Sequence, residues 1–373
     1  MYKSPSIQAI GIAVPPHQIF QEKHYSILES ANGLNRAEQL QLRKIYSRSG
    51  IHSRYSVLPE FAHADQKENV LFHPSNLYPA LAVSERMKLY DEFSLELSVE
   101  AVKKCMMDLP DLQLSAITHL VTFSCTGMSA PGLDIQLVNT LGLNSNIERT
   151  CINFMGCYAG INALKFAKHI SRSEPDAVVL LVGVELCTLH YQKNDKSDQM
   201  IANALFADGA AASIVSTRNL NKSPNSSSLA LDIFYSEFEY SGKDEMVWTI
   251  GDFGFNLKLS IFVPDLIEKN IFSLTEKLFV KAGINREEID FYAIHPGGMK
   301  ILEACENALG IDKSKNQISY QVLNDYGNMS SVTIFFVLKS YLEKFTSEDK
   351  GKKVLACAFG PGLTMESLIA EVC

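Results

Sequence analysis

The chain has 373 residues, 46% of them hydrophobic, and a formal net charge of −8. This length and composition suit one large domain or two fused domains around a sizeable core. The acidic balance argues against binding of nucleic acid or an anionic membrane, since both need a basic surface. No apolar run approaches the roughly 20 residues of a membrane helix, and the N-terminus lacks a signal-peptide pattern. The eight cysteines form no CxxC pair, so we expect a cytoplasmic protein without a disulfide framework or metal site.

Six apolar segments have the composition of buried β-strands. In chain order they are HLVTFS, AVVLLVGVE, AAASIVS, FYAIH, KVLACAF and SLIAEV. They lack the alternation of half-exposed strands, which is typical of strands covered on both faces. Between them, apolar residues recur at helical spacing on one face. After Cys157 these residues are Ala163, Phe166, Ala167 and Ile170, and after His295 they are Ile301, Ala304, Cys305 and Ala308. Alternating strands and helices predict a layered α/β fold.

One segment has the composition of an exposed linker. It is STRNLNKSPNSSS, residues 216–228, rich in serine and asparagine. It predicts a division of the chain into residues 1–217 and 218–373. Both parts end in a strand beside a glycine-containing bend, DGAAASIV in the first and FGPGLTMESLIA in the second. This likeness is a weak indication of internal duplication.

Three residues at the ends of predicted strands or at a glycine turn form a candidate catalytic set. Cys157 lies in FMGCYAG, His295 in YAIHPGG and Asn328 in DYGNMSS. The carboxyl ends of strands are where α/β folds place reactive groups. A thiol at a helix N-terminus also meets the positive end of the helix dipole, which favours the thiolate. Each residue alone would ordinarily be structural, but their matching positions favour a shared site.

Two chemistries use a cysteine, a histidine and an asparagine. In a cysteine hydrolase, histidine deprotonates the thiol and asparagine orients the histidine. In a decarboxylating condensing enzyme, histidine and asparagine both donate hydrogen bonds to an enolate oxygen. The spacing of Cys157 and His295 fits the ~130–150 residues of papain-like proteases as well. However, those proteases carry the cysteine near a mature N-terminus, and the alternating α/β pattern fits them poorly.

With these flanking residues the chain resembles the type III polyketide synthases, the chalcone and stilbene synthase family, in a bacterial-type form. The resemblance spans nearly the whole sequence. Its motifs are AIGIAVPP, APGLDIQL, GCYAG, ALFADGAAA, VPDLIEKNI, HPGGMKIL, YGNMSS and FGPGLTMES. The order HPGG, YGNMSS and FGPG is highly specific to this family.

The resemblance implies a thiolase-like αβαβα layered fold made of two related halves. Residues 1–217 would carry the nucleophilic cysteine, and residues 218–373 the histidine and asparagine. It also implies a homodimer, coenzyme A thioesters as substrates, and no metal or other cofactor. By the same resemblance, Cys157 takes the starter acyl group from coenzyme A, and His295 keeps it as thiolate. His295 and Asn328 then stabilise the enolate formed when malonyl-CoA loses carbon dioxide.

Coenzyme A needs cations for its phosphates. Lys44 and Arg48 are spaced i, i+4 on a predicted helix and align with basic CoA-contacting positions of the family. A third such position, normally lysine, is Gln41 here. Arg43 and Arg54 are candidates to compensate for its missing charge.

Several positions near the site depart from the family pattern. Phe206 matches the phenylalanine at the mouth of the CoA tunnel, but a second phenylalanine is replaced by Leu257. Trp248 stands where a small floor residue is typical and should shorten that side of the pocket. His190 replaces a small hydroxyl residue, and it either donates a hydrogen bond to a polyketide carbonyl or fills space. The other pocket positions implied by the resemblance are Cys125, Thr126, Ala130, Cys187, Ser330, Phe359, Gly360 and Pro361.

Three small residues bear on the starter. Thr126, Ala130 and Cys187 resemble the lining of a side tunnel in bacterial members that accept long acyl chains. Each buried methylene contributes about 0.8 kcal/mol, so such a tunnel favours an aliphatic starter. Ala130 lies where plant members carry a methionine that reaches into the partner's cavity. Cys125 resembles a cysteine of members that make hydroxylated naphthalenes, but we favour a packing role for it.

We therefore predict an iterative, cytoplasmic, homodimeric polyketide synthase. It would load a medium or long aliphatic acyl-CoA, extend it with malonyl-CoA, and cyclise the product to an alkylpyrone or alkylresorcinol-type ring. One alternative is a synthase that uses malonyl-CoA alone and makes a small polyhydroxylated aromatic. A related condensing enzyme of fatty-acid initiation would use carrier-bound malonate and lacks the FGPG loop. The alternative from another class is a non-catalytic homologue that acts as a binding partner.

Overall fold

The computed structural model describes residues 4–31, 34–62, 81–192, 197–223 and 226–373. The strands within these ranges are β1 (Ser6–Ala13), β2 (His17–Phe20), β3 (Ser53–Ser56), β4 (His119–Ser124), β5 (Glu148–Asn153), β6 (Val178–Leu186), β7 (Asp208–Ser216), β8 (Leu229–Phe238), β9 (Met246–Gly251), β10 (Gly254–Leu259), β11 (Ile289–Ile294), β12 (Lys353–Gly360) and β13 (Thr364–Val372). The α-helices are α1 (Gln21–Ala31), α2 (Arg36–Ser47), α3 (Val83–Met107), α4 (Leu133–Leu141), α5 (Ala159–Ser173), α6 (Ser197–Leu205), α7 (Val263–Ala282), α8 (Met299–Leu309), α9 (Gln317–Tyr326) and α10 (Thr333–Leu342). None of the helices in the described ranges is long and apolar enough to span a bilayer.

A nine-stranded sheet consists of two arrays joined along one seam. The N-terminal array has the order β5-β4-β6-β7-β1, and the C-terminal array has the order β8-β13-β12-β11. They meet where β1 pairs antiparallel with β8, at Ser6–Ala230 and Ile7–Leu229. Residues 217–228 connect the two arrays, and residues 224 and 225 of this segment lie outside the described residues. The domain boundary at 217/218 stays a prediction.

The two arrays share one pattern of order and direction. In the first, β4 is parallel to β6, β6 is antiparallel to β7, and β7 is antiparallel to β1. In the second, β11 is parallel to β12, β12 is antiparallel to β13, and β13 is antiparallel to β8. Only β5 lacks a counterpart in the described part of the second array. This repeated topology agrees with the predicted fold of two related halves.

Helices fill the layers outside and between the arrays. Helices α5 and α10 pack with strands of both arrays in a central core that includes Leu164, Phe335 and Phe336. Helix α3 covers the outer face of the N-terminal array, and α7 and α8 pack at the outer face of the C-terminal array. Each apolar helix face is thus buried against a sheet, which gives the five layers of the predicted αβαβα arrangement.

All six predicted strands are present, but one predicted helix face is partly wrong. On α5, Ala163 and Ala167 are fully buried, whereas Phe166 is 38% exposed. Phe166 lies beside the start of β5, together with His119 and Glu148. Because β5 is the outermost strand of the sheet, the described chain leaves this side of Phe166 uncovered.

Candidate active site

Cys157 lies in a tight turn between β5 and α5. Gly156 before it has φ +91°, and a Cβ there would lie 2.3 Å from Cδ of Pro361, so only glycine fits. The Gly156 N–H donates to the Cys125 Sγ at 2.9 Å. Phe154 in the same turn has φ 62°, an uncommon conformation for a non-glycine residue. Backbone strain of this kind clusters at functional sites, where the surrounding structure holds it.

His295 is the first residue after β11. Its backbone N–H donates to the Cys357 carbonyl at 2.8 Å, which extends the pairing of β11 with β12 and anchors the ring at the strand end. The residue is 1% exposed. Both ring nitrogens are buried without a hydrogen-bond partner among the described residues. Buried polar atoms are usually paired, so a substrate atom is the missing partner that this position suits.

Asn328 lies in the turn between α9 and α10, and its amide has a fixed orientation. Its Oδ1 accepts the Ser330 N–H at 2.8 Å, so its Nδ2 faces the other way, 3.3 Å from the Gly297 carbonyl. That contact uses one of the two N–H groups and leaves the other as a donor. Ser330 has φ 49°, so strain flanks Asn328 as it flanks Cys157.

These three residues line one cavity, which we call the reaction chamber. Most pocket residues expected from the sequence lie in its wall. Those found there are Cys125, Thr126, Cys187, Phe206, Trp248, Leu257, Ser330, Phe359 and Pro361. Five wall residues were not among the expected pocket residues, namely Gly156, Met246, Leu259, Gly297 and Ile301. The free space in the chamber is about 50 Å³.

Two expected pocket residues lie elsewhere. Ala130 is exposed in the single chain and is not part of the chamber wall, so its tunnel role stays a prediction that depends on a partner subunit. Gly360 is also absent from the wall. A Cβ at this position would lie 2.5 Å from the Tyr158 ring and 3.3 Å from the Cys157 N. Glycine is therefore needed there for the close approach of β12 to the Cys157 turn.

His190 does not line the reaction chamber, and the structure decides between its two expected roles. Its Nδ1 accepts the Phe255 N–H at 3.1 Å, and its Nε2 lies 2.6 Å from the Thr126 carbonyl. The ring stacks on Phe255 with centroids 3.9 Å apart. Burial lowers the pKa of His190 to about 3, so the ring is neutral and Nε2 carries the proton. Both nitrogens are occupied, and His190 supports the wall without a donor for substrate.

Trp248 stands against this histidine, edge to face, and also lines the reaction chamber. Its Nε1 donates to the Cys125 carbonyl at 2.7 Å. The indole is thereby fixed between Cys125 and the ring pair of His190 and Phe255. It forms a fixed part of the wall, and the expectation that it shortens this side of the pocket stays a prediction.

Burial dominates the electrostatics of Cys157 and His295. It raises the pKa of the Cys157 thiol to about 12, although a contact with Ser330 Oγ at 3.5 Å acts in the opposite direction. It lowers the pKa of His295 to about 3. This differs from the thiolate expected at a helix N-terminus, because loss of water outweighs the dipole. A thiol pKa above neutrality and an imidazole pKa below it both favour the uncharged forms at neutral pH.

Glu185, at the end of β6, links the two halves beside the site. The Cys125 N–H and the Thr126 hydroxyl donate to its carboxylate at 3.0 and 2.8 Å. The Ser331 hydroxyl, from the C-terminal half, also donates to it. Burial raises the pKa of Glu185. Sequence reasoning did not single it out, although a carboxylate that closes the apolar run AVVLLVGVE was a usable signal.

A surface groove leads to the reaction chamber. Lys44 and Arg48 of α2 line it, as expected, and Lys300 at the start of α8 faces it as a further cation. The groove has about 400 Å³ of free space. It shares wall residues with the reaction chamber, namely Leu259, Gly297 and Ile301. A long anionic ligand could therefore reach Cys157 with its charged end among the cations.

The two cations expected to compensate for Gln41 do not lie in this groove. Arg43 is exposed on α2 but is not among the groove residues. Arg54 is only 1% exposed and donates to the Phe206 carbonyl inside the protein. Lys300 supplies the third charge instead. The sequence motif HPGGMK contained this lysine, but only the fold brings it opposite α2.

The layered fold consists of two related halves. It places a cysteine and an asparagine near helix starts and a histidine at a strand end. Together these features define a thiolase-like condensing enzyme. Sequence profiles of the chalcone and stilbene synthases match residues 3–218 with their N-terminal domain and residues 236–373 with their C-terminal domain. The chain therefore belongs to the chalcone and stilbene synthase family, the type III polyketide synthases. Members of this family are acyl-transferring condensing enzymes, so the chain is an acyltransferase.

Individual relatives agree with this assignment. The α-pyrone synthesis polyketide synthase-like protein Pks18 of Mycobacterium tuberculosis is 31% identical over 290 residues, covering 78% of this chain and 74% of that protein. Type III polyketide synthase C of Arabidopsis thaliana is 29% identical, covering 98% and 94%. The crystal structure of PKS-I from the brown alga Ectocarpus siliculosus superposes with a TM-score of 0.90 at 29% identity, covering 100% and 99%.

Proposed function

We propose that the protein is an iterative polyketide synthase that loads an acyl-CoA on Cys157 and extends it with malonyl-CoA. The observation that carries this proposal is the convergence of Cys157, His295 and Asn328 at the inner end of the cationic groove. The groove suits the phosphates of coenzyme A, because a cluster of Lys and Arg side chains attracts them.

Each chemical step has a group to perform it. The Cys157 thiolate attacks the starter thioester, and the tetrahedral intermediate expels coenzyme A as its thiolate. Malonyl-CoA then loses carbon dioxide, and its electron pair forms an enolate. His295 and Asn328 Nδ2 donate hydrogen bonds to the enolate oxygen. The enolate carbon attacks the acyl–Cys157 thioester, which releases the Cys157 thiolate and leaves a β-ketoacyl-CoA for the next round.

The starter that we propose is a medium or long aliphatic acyl-CoA, with release as an alkylpyrone or alkylresorcinol-type product. Small wall residues Thr126 and Cys187 and the mostly apolar lining support it. The name of the 31% identical mycobacterial relative, which refers to α-pyrone synthesis, is consistent with a pyrone product. Ala130 would open further space only where a partner subunit completes this wall.

A second candidate function uses malonyl-CoA as the only substrate and makes a small polyhydroxylated aromatic. The free space of about 50 Å³ around Cys157 supports it, since a small product needs less enlargement of the chamber than a long alkyl chain. Trp248, fixed by its bond to Cys125, closes the side on which an alkyl chain would need room.

We further propose a cytoplasmic homodimer that needs no cofactor besides its CoA thioesters. Support for the dimer comes from β5, the outermost strand of the sheet. Its residues are half or fully exposed along its length, and unpaired edge strands are usually covered by another chain or by charge. Light scattering of the purified protein at several concentrations tests this state directly.

The proposed reaction is tested by incubating the protein with labelled malonyl-CoA and acyl-CoAs of graded length. We expect release of labelled carbon dioxide and cyclised products. A maximum at long chains supports the aliphatic starter, whereas equal product without any added starter supports the malonyl-only synthase. Absence of decarboxylation with every starter would instead favour the non-catalytic homologue.

A further inference from the structure

A second cavity adjoins the reaction chamber, and its far wall is polar. We call it the side chamber. Cys187, Phe206, Trp248 and Leu257 line both cavities and form the partition between them. Beyond this partition the side chamber is lined by His24, Arg54, Thr188, Gln199 and Asn203. An acyl chain on Cys157 that passes the partition meets these groups with its far end.

Arg54 is a buried cation that the charge of Asp208 stabilises without direct contact. It is 1% exposed and forms no ion pair with a carboxylate in the part of the chain that the structure describes. The nearby carboxylate of Asp208 accepts instead from Thr188 and from the Val57 N–H. Arg54 donates to the Phe206 carbonyl and to His24, while its Nε–H has no partner. A buried N–H without an acceptor is costly, so an anionic or strongly polarised oxygen would be bound favourably here.

His24 offers a second free donor beside this cation. Arginine nitrogens can only donate, so the Nδ1 of His24 must accept the bond from Arg54. Burial and the charge of Arg54 hold the pKa of His24 well below its ordinary value, which keeps the ring neutral. The ring proton then sits on Nε2, which is buried without a partner. His24 is 2% exposed, so bulk water does not satisfy this N–H.

We propose that the side chamber binds an oxygen at the far end of the acyl chain carried by Cys157, with Arg54 and His24 as its donors. This inference rests on the proposed function. The oxygen is either a terminal carboxylate of the starter or an enolised ketone oxygen of the growing chain. Both present a full or partial negative charge to the two N–H groups. Among aliphatic starters of equal length, the side chamber thus favours one that ends in an oxygen over one that ends in a methyl group.

The test compares loading of two starters of equal chain length, pentanoyl-CoA and glutaryl-CoA, in the wild-type protein without malonyl-CoA. Acylation of Cys157 is followed by intact-protein mass spectrometry. We expect glutaryl-CoA to load with a kcat/KM about tenfold higher, as a hydrogen bond to a charged group provides. His24→Asn keeps an acceptor for Arg54 but removes the Nε2 donor, and it should reduce this preference. Arg54→Lys keeps the charge, removes Nε–H, and should act in the same direction.

Ala202→Val is the matched control, since it narrows the same side chamber without changing a donor. It should slow both starters alike. A second arm adds malonyl-CoA to pentanoyl-CoA and compares the number of extensions in wild type and His24→Asn. A changed number with equal loading identifies the ketone oxygen of the chain as the ligand. Equal loading and unchanged products would overturn the proposal and leave the side chamber as a water site. If neither starter acylates Cys157, the proposed function fails as well.

Discussion

The two halves of this protein use equivalent positions for different chemistry. In the N-terminal half, Cys125 is the first residue after β4, and Cys157 precedes the central helix α5. In the C-terminal half, His295 is the first residue after β11, and Asn328 precedes the central helix α10. A Cβ at Gly160 on α5 would lie 2.5 Å from the Ser331 carbonyl, so the two helix starts are in close contact.

The same topology supports a different chemical role in each half of the protein. The N-terminal half holds the proposed nucleophile Cys157. Cys125, which follows β4, accepts the Gly156 N–H and thereby fixes the turn that carries Cys157. The other half offers two hydrogen-bond donors with free N–H capacity, on His295 and Asn328. We therefore expect the covalent bond to depend on the first half and decarboxylation on the second, with His295 of the second half also accepting the proton of Cys157. The following variants test that division.

Cys157→Ala should have the largest effect, because it removes the only sulfur to which the chain can be attached in this scheme. We expect acylation and chain extension to fall to background while malonyl-CoA decarboxylation remains measurable, since both enolate donors persist. Mass spectrometry and release of labelled carbon dioxide measure the two activities separately. Full synthesis by this variant would displace Cys157 as the nucleophile.

His295→Gln should impair both starter loading and malonyl-CoA decarboxylation. We expect chain extension to fall about 10²–10⁴-fold, as for loss of a general base. The cause is that burial raises the pKa of the Cys157 thiol, so little thiolate exists at neutral pH and attack on the starter needs a base that takes the proton in the same step. Alkylation of Cys157 by iodoacetamide should be slower than in wild type at pH 7. Because a raised thiol pKa favours the protonated form below it, the variant's rate should keep rising through pH 9–10 and narrow the gap. Identical pH profiles for the two proteins would show that His295 does not accept the proton.

Asn328→Ala should mainly affect the decarboxylation of malonyl-CoA, not starter loading. Loss of one oxyanion donor typically lowers kcat about 10²–10³-fold, and we expect this for decarboxylation. Starter loading on Cys157 should change much less, since the enolate forms only afterwards. Asn328→Asp serves as the control, because it keeps an acceptor for the Ser330 N–H but supplies no donor. Equal losses in loading and decarboxylation would mean that Asn328 acts by holding the fold.

Cys125→Ala should have the smallest effect. It removes the acceptor of the Gly156 N–H, a hydrogen bond worth about 1 kcal/mol. We expect a lower urea midpoint of unfolding and a modest drop in loading. Cys125→Ser retains an acceptor at nearly the same place and should lose less of both. If alanine and serine behave alike, the cysteine serves only to fill space.

The sequence was informative where function depends on local context. Cys157, His295 and Asn328 each follow a buried strand or a glycine turn, and their motifs are contiguous, so their placement could be predicted. The roles of His190 and Arg54 could not, because they depend on distant partners. The Phe255 N–H completes the bonding of His190, and the Phe206 carbonyl binds Arg54. Spacing along the chain contains no signal for either contact.

The edge strand β5 was not predicted from the sequence, for a related reason. Strand β5 has the sequence ERTCIN, with charged and polar residues where the predicted strands are apolar. Its strand nature follows from pairing with β4, a contact made after the chain folds. The exposure of Phe166 has the same origin, because helical periodicity does not tell which side of a sheet is left open.

The position of β13 has a consequence for the order in which the site forms. This strand ends at Val372, yet it lies inside the C-terminal array, between β12 and β8. The C-terminal array cannot close before β13 has been synthesised and has paired with both neighbours. The N-terminal half, by contrast, contains all of its strands by Ser216 and can fold earlier. We therefore expect the turn that holds Cys157 to form before the C-terminal array that positions His295, so the candidate site is complete only after β13 has joined the sheet.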